Sequence, residues 1–127
     1  LHTVQKNLLI TSNAFYRLKW EILMIVDIRT YNIIPRKMKT YLSLFEKFAL
    51  PIQRKYFGNP LGYFLVEHGP LHQVVHLWGF ENLADLERKR ANRDADPAWA
   101  DYQERTEGLV ASQENKLCKP MEWSEIK

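Results

Sequence analysis

The stretch Gly62 to Phe80, GYFLVEHGPLHQVVHLWGF, restricts the possible folds of this chain more than any other. Two runs rich in aromatic and β-branched residues, which suit a pleated surface, meet at the turn-marking dipeptide Gly69-Pro70. The pattern predicts a β-hairpin. Its second half, Val74-Val75-His76-Leu77-Trp78-Gly79-Phe80, is apolar at both parities. Successive strand side chains point to opposite sides, so both faces of this strand should be covered. The chain has 127 residues, enough for one domain, and too few helical segments to cover both sides of a sheet. A second subunit is the expected source of the missing cover.

Other segments supply the rest of the sheet and its helices. Met24 to Tyr31, MIVDIRTY, reads as a first strand, with Asp27 and Arg29 on one face as a structural ion pair. Ile34-Pro35 closes it. Met38, Leu42, Phe45, Ala49 and Ile52 then recur at helical spacing, and Tyr41 and Phe48 widen the stripe. Pro51 should bend or break this helix near Ala49-Leu50, and Gly58 should end it. After the hairpin, Glu81 to Arg93 reads as a charged helix with Leu83, Leu86 and Ala91 as core contacts. Asp85 with Lys89, and Glu87 with Arg90, stand at helical pairing distance, so Arg88-Lys89-Arg90 reads as a solvated face. Asp96 is placed to cap a further helix opened by Pro97, with Trp99, Tyr102, Thr106 and Leu109 buried and Gly108 near its end. A last strand is expected through Asn115, Leu117 and Lys119, stopping at Pro120. The order is βαββαβ: an α+β, ferredoxin-like plan with helices on one face of a four-stranded antiparallel sheet.

Composition narrows the setting. At 46% hydrophobic and 26% charged residues the chain is globular material, and no apolar run reaches the ~18–20 residues of a membrane span. The single cysteine, Cys118, rules out an internal disulfide and reads as a small hydrophobe. It fits a reducing compartment: cytoplasmic, or mitochondrial if the source is eukaryotic. The net charge of +3 is concentrated at the start, where residues 1–23 hold Lys6, Arg17 and Lys19 against Glu21. The remainder carries 15 basic and 14 acidic residues, a balance with no electrostatic footprint for nucleic acid or an anionic membrane. Residues 1–23 therefore read as an N-terminal extension or a presequence, dispensable for folding, that would pack as an edge strand or against a partner. Met24 opens the domain proper, residues 24–127.

With the elements placed, MIVDIRTY, Leu50-Pro51-Ile52-Gln53, Leu61 to Phe64, GPLHQVVHLWGF at Gly69 to Phe80, and Asp96 to Trp99 together resemble the NIPSNAP family. The resemblance runs from Met24 to about Trp123, and VVHLWGF is its most specific part. It implies a homodimer in which two four-stranded sheets close into an α/β barrel with helices outside. It implies no established reaction. The wider superfamily holds cofactor-free monooxygenases, haem-degrading enzymes, isomerases and dehydratases, while eukaryotic relatives are similar to vesicle-trafficking and mitochondrial quality-control proteins. Fold alone does not choose among these.

Candidate chemistry is sparse. His68, His72 and His76 are spaced by four, but Gly69-Pro70 interrupts any helix. On a strand, His72 and His76 stand about 13 Å apart, too far to share a metal, so no metal site is expected. His76 is the best single candidate for catalysis, because it interrupts an apolar strand and shares a face with Trp78. The plainer reading is a core histidine satisfied by a neighbour. Trp78, Trp99 and Tyr102 could line a flat apolar cavity between sheet and helices or simply fill the core. Arg29 and Tyr31 could orient a carbonyl or carboxylate there. The chain has no Gly-rich phosphate loop, nucleophile elbow or carboxylate pair of recognisable spacing, so no cofactor is implied. Three readings stand side by side: a binder of a small apolar or aromatic molecule, a non-enzymatic interaction module, and a cofactor-free monooxygenase- or isomerase-like enzyme. RNA-recognition modules share the strand order, but a partner should cover the face they would use, so no nucleic-acid partner is expected.

Overall fold

The computed structural model of the protein describes residues 24–127; the expectations for residues 1–23 lie outside the described residues. Strand β1 (Ile25–Ile33) leads into helix α1 (Met38–Leu44), a π-helical turn (Phe45–Ala49) and helix α2 (Leu50–Phe57). Strands β2 (Gly62–Leu65) and β3 (Gln73–Phe80) form the hairpin. Helices α3 (Leu83–Asp94) and α4 (Pro97–Arg105) and strand β4 (Val110–Cys118) complete the chain. The sheet order is β2-β3-β1-β4, antiparallel throughout, which is the ferredoxin-like arrangement.

Pairing of β1 with β3 decides which side chains share a face. Asp27 lies opposite Trp78, Arg29 opposite His76, and Tyr31 opposite Val74. This is the face the helices cover, and Val74, His76, Trp78 and Phe80 are all buried there. Val75, Leu77 and Gly79 alternate with them and stay half-buried on the other side, where Phe64 is 55% exposed. Gly79 leaves room on that side for Met24 and Leu61, whose atoms would stand 3.1 and 3.4 Å from an added Cβ. The described chain thus provides helices for only one face of its sheet.

The first helical segment keeps its expected stripe except at Leu42. Tyr41, Phe45, Ala49 and Ile52 are buried, with Met38 and Phe48 packed against them, and Gln53 and Phe57 extend the buried side, while Leu42 is exposed. A π-helical turn has more residues per turn than an α-helix, so it rotates the buried stripe from Leu42 onto Tyr41. Pro51 accounts for its position: it cannot donate to the carbonyl four residues back and would crowd it. The helix therefore widens ahead of Pro51 instead of breaking, with the Leu50 N–H donating to the Phe45 carbonyl, and Gly58 ends it at φ 79°.

Helix α3 also differs from its sequence reading. Leu83 and Ala91 are exposed, and the helix buries Asp85, Leu86 and Arg93. Asn82 caps it through the Asp85 N–H, and the Asp85 carboxylate in turn accepts from the Glu81 N–H. That reciprocal cap holds Asp85 inward and turns Leu83 out. Asp85 pairs with Lys89 as expected, and also with Arg88 at 2.6 Å, whereas Arg90 crosses to Asp27 rather than to Glu87. Asp96 caps α4 as expected, accepting from the Ala98 N–H and also from the Tyr56 hydroxyl. Strand β4 begins at Val110, earlier than expected, because the Ile34 N–H donates to the Leu109 carbonyl and starts the pairing there.

These differences make a measurable contrast. Leu86→Ala should cost about 2–5 kcal/mol in urea unfolding, as for a core leucine. Leu83→Lys should stay within about 0.5 kcal/mol of the parent. Equal effects at the two positions would contradict the observed phase of α3.

Candidate functional site

The site grows from the middle of the helix-covered sheet face. His76, 4% exposed, sits among three rings: Tyr63, Tyr31 and Phe45 lie 4.5, 5.0 and 5.0 Å away between ring centres. Tyr63 is held by its hydroxyl, which donates to Gln53 Oε1 at 2.8 Å. The Nδ1 atom of His76 is buried without a hydrogen-bond partner. Burial, aided by the positive charge of Arg29, pushes its pKa down to about 4. The imidazole is therefore neutral at physiological pH, and the partner that would satisfy a core histidine is missing on one side.

Beside it, Trp78 stacks edge-on with Phe57 and Tyr63, and its Nε1 also lacks a partner. Asp27, 1% exposed, turns Oδ2 toward Arg90 at 3.4 Å and Arg29 at 4.0 Å, while Oδ1 is unpaired. Burial raises its pKa against the pull of Arg29, Arg90 and Arg93. The Asp27–Arg29 pair expected from spacing is present, with Arg90 as an unforeseen third member.

A cleft of about 240 Å³ opens next to this cluster, between β1, the π-helical turn and α4. Arg29 and Arg93 supply its charge, and Tyr31, Tyr41, Trp99 and Tyr102 form flat walls. Phe45, Gln53 and Thr106 line it deeper in, with Gln103, Val110 and Gln113 completing it. Burial pushes the Tyr102 phenol up to about 12 and raises those of Tyr31 and Tyr41, so all three remain protonated donors. Arg93 lies over the Trp99 ring at 4.2 Å and over Phe57 at 5.1 Å, and donates to Asp94 Oδ1 through Nε and Nη2.

Four of the six ligand-contact candidates thus share one cleft: Arg29, Tyr31, Trp99 and Tyr102. His76 and Trp78 share their face of the sheet but lie outside the lining. Trp78 belongs to a core cluster with Phe57, Phe80 and Leu86. His68 is exposed in the hairpin loop, and His72 sits there at φ 61°, away from His76. Sequence reasoning missed Arg93 and Gln53. A signal existed for each: Arg93 follows the buried Leu86 by seven residues, and Gln53 follows Ala49 by four, so each shares a helix face with a core residue.

Comparison with known proteins agrees with this architecture. The family model described as NIPSNAP matches residues 26–125. A protein NipSnap homolog from Dictyostelium discoideum is 32% identical over 96 residues, covering 75% of this chain and 42% of that protein. The chain thus spans less than half the length of that relative. A crystal structure of a nipsnap family protein with unknown function from Agrobacterium tumefaciens superposes with a TM-score of 0.79 at 34% identity, covering 84% of this chain and 96% of the other. An uncharacterized NIPSNAP-like domain protein from Burkholderia xenovorans gives 0.76 at 39% identity, covering 81% and 90%.

The depressed His76 pKa has a signed consequence for stability. Between pH 6.5 and 4 the folded imidazole stays neutral while that of the unfolded chain takes up a proton. The stability present above pH 6.5 is therefore lost as pH falls, by about 1.4 kcal/mol per unit and about 3 kcal/mol in all. In His76→Phe this loss should vanish, whereas Asp27, whose raised pKa acts with the opposite sign, is common to both proteins. Chemical denaturation at stepped pH checks it. Parallel stability curves for the two proteins would overturn the assignment.

Proposed function

The chain belongs to the NIPSNAP family, and within that family we propose that it acts as a homodimeric binding protein for a small, flat, apolar or aromatic molecule. The observation that carries this reading is the cleft walled by Tyr31, Tyr41, Trp99 and Tyr102. At about 240 Å³ it is smaller than the roughly 300–1,000 Å³ of sites for drug-sized ligands, so its occupant is small. Flat rings on several sides favour a flat guest through stacking and edge contacts.

The homodimer is supported by the other side of the sheet. Ile28, Val75 and Leu77 are apolar and only half-buried, and Phe64 beside them is exposed. A contiguous apolar surface of this kind is normally covered in use. A second copy facing the first would bury both sheets and agrees with the barrel implied by the family resemblance.

Two measurements test the proposal. Sedimentation at micromolar concentration should return twice the 15.1 kDa chain mass, and Leu77→Asp should reduce it to one chain. A monomeric parent protein would end the dimer reading. Small aromatic molecules, charged and neutral, should shift the backbone NMR signals of Trp99 and Tyr102. Gln103→Trp, an exposed position at the cleft, should block those shifts by filling it. If no molecule of either kind moves these signals, the cleft is not a binding site.

A further inference from the structure

If the cleft is a binding site, its charge narrows what it holds. Two of its lining residues carry a formal charge, and both are arginines; neither aspartate nor glutamate lines it. The acids that compensate them act from behind the walls. Asp94 takes the Nε and Nη2 atoms of Arg93 at 3.0 and 2.8 Å. Asp27 stands 4.0 Å from Arg29 Nε, beyond hydrogen-bond distance, and spends the same oxygen on Arg90. Turned end over end, the Asn115 amide accepts from Arg29 Nε at 3.3 Å. Both terminal amino groups of Arg29 are left without an acceptor among the described residues, on a side chain only 11% exposed.

The guanidinium is not sealed from water: its unpaired terminal donors open to the cleft, where a guest's acceptors can reach them. Its planar fork fits the two oxygens of a carboxylate, and the neighbouring Tyr31 ring, 5.6 Å from the Arg29 carbon, extends that surface with a flat hydrocarbon face. We infer that the cleft selects an aromatic carboxylate, with the carboxylate on the free fork of Arg29 and the ring between Tyr31, Trp99 and Tyr102. The carboxylate end is read by charge and the ring end by shape, so the neutral amide of the same ring is a poor substitute. Arg93, already committed to Asp94 and stacked on Trp99, adds positive potential and holds that wall in place.

Benzoate and benzamide, nearly equal in size and shape, separate the alternatives when titrated against the full chain by NMR. Benzoate should bind about tenfold or more tightly than benzamide at moderate salt. Arg29→Met should remove the preference. Arg29→Lys, which keeps the charge beside Asp27 but not the fork, should retain the preference with weaker benzoate binding. Equal affinity for the two probes in the parent protein would overturn the selection for a carboxylate while leaving the cleft as a binding site. Benzoate binding unchanged in Arg29→Lys would remove the fork from the account. Absence of binding by either probe, with no other small aromatic molecule binding, would overturn the underlying site itself.

Discussion

The buried carboxylate of Asp27 ties the sheet to the helix layer. A carboxylate that is 1% exposed is very costly without partners, and its partners come from two elements: Arg29 on its own strand and Arg90 on α3. Helix α3 must therefore lie where Arg90 reaches the centre of the sheet. That position fixes the turns on either side. Leu86, one turn earlier, enters the core beside Trp78 and Phe80, and Arg93, nearly one turn later, comes to rest over Trp99. The ion pair is thus a constraint on placement more than a source of stability, since burial offsets much of its attraction.

The same constraint sets the charge of the cleft. One buried carboxylate faces three arginines, and Asp94 takes up the nearest of its own helix. The compensation is arranged along the sheet centre and the helix, while the guanidinium of Arg29 extends toward the cleft. Cross-strand pairing completes the pattern. Polar residues on β1 stand opposite aromatic or apolar residues on β3, so the helix-covered face has a charged stripe beside an aromatic one. A cleft over that boundary offers charge and flat hydrocarbon within one small volume.

Much of this was legible in the sequence, and the exceptions have physical causes. The hairpin, the βαββαβ order, the cap at Asp96 and the uncovered second face of β3 follow from local patterns that tertiary contacts do not override. In the first helix only the exposure of Leu42 was not legible, because the π-helical turn ahead of Pro51 brings Tyr41 rather than Leu42 onto the buried side. In α3 the reading favoured leucine and alanine as core contacts, yet the reciprocal Asn82–Asp85 cap and the reach of Arg90 to Asp27 decided which face turned inward. Arg29, Tyr31, Trp99 and Tyr102 were recognisable as site candidates from residue type, strand parity and helical spacing. Arg93 was not, since a basic residue in a charged helix is normally solvated, and its pairing with Asp94 together with its stacking between Phe57 and Trp99 makes burial tolerable.

The chemistry this arrangement could support depends on the groups its walls donate. Arg29 and Arg93 give the cleft positive charge, and three protonated phenols stand in its walls, which favours negative charge on a bound oxygen. Removing a proton from a guest is a different requirement, and the lining offers no carboxylate or imidazole for it. His76 is neutral and lies close by, but the rings of Tyr31 and Phe45 pack against it, and it is outside the lining. For His76 to take a proton from the guest, one of those rings would have to turn aside. Without such a movement, the role proposed for the cleft is to hold an anion and to stabilise charge that the guest develops by its own reactivity. On that reading the lining residues carry the binding, and His76, made a weak base by burial, stands walled off behind Tyr31 and Phe45.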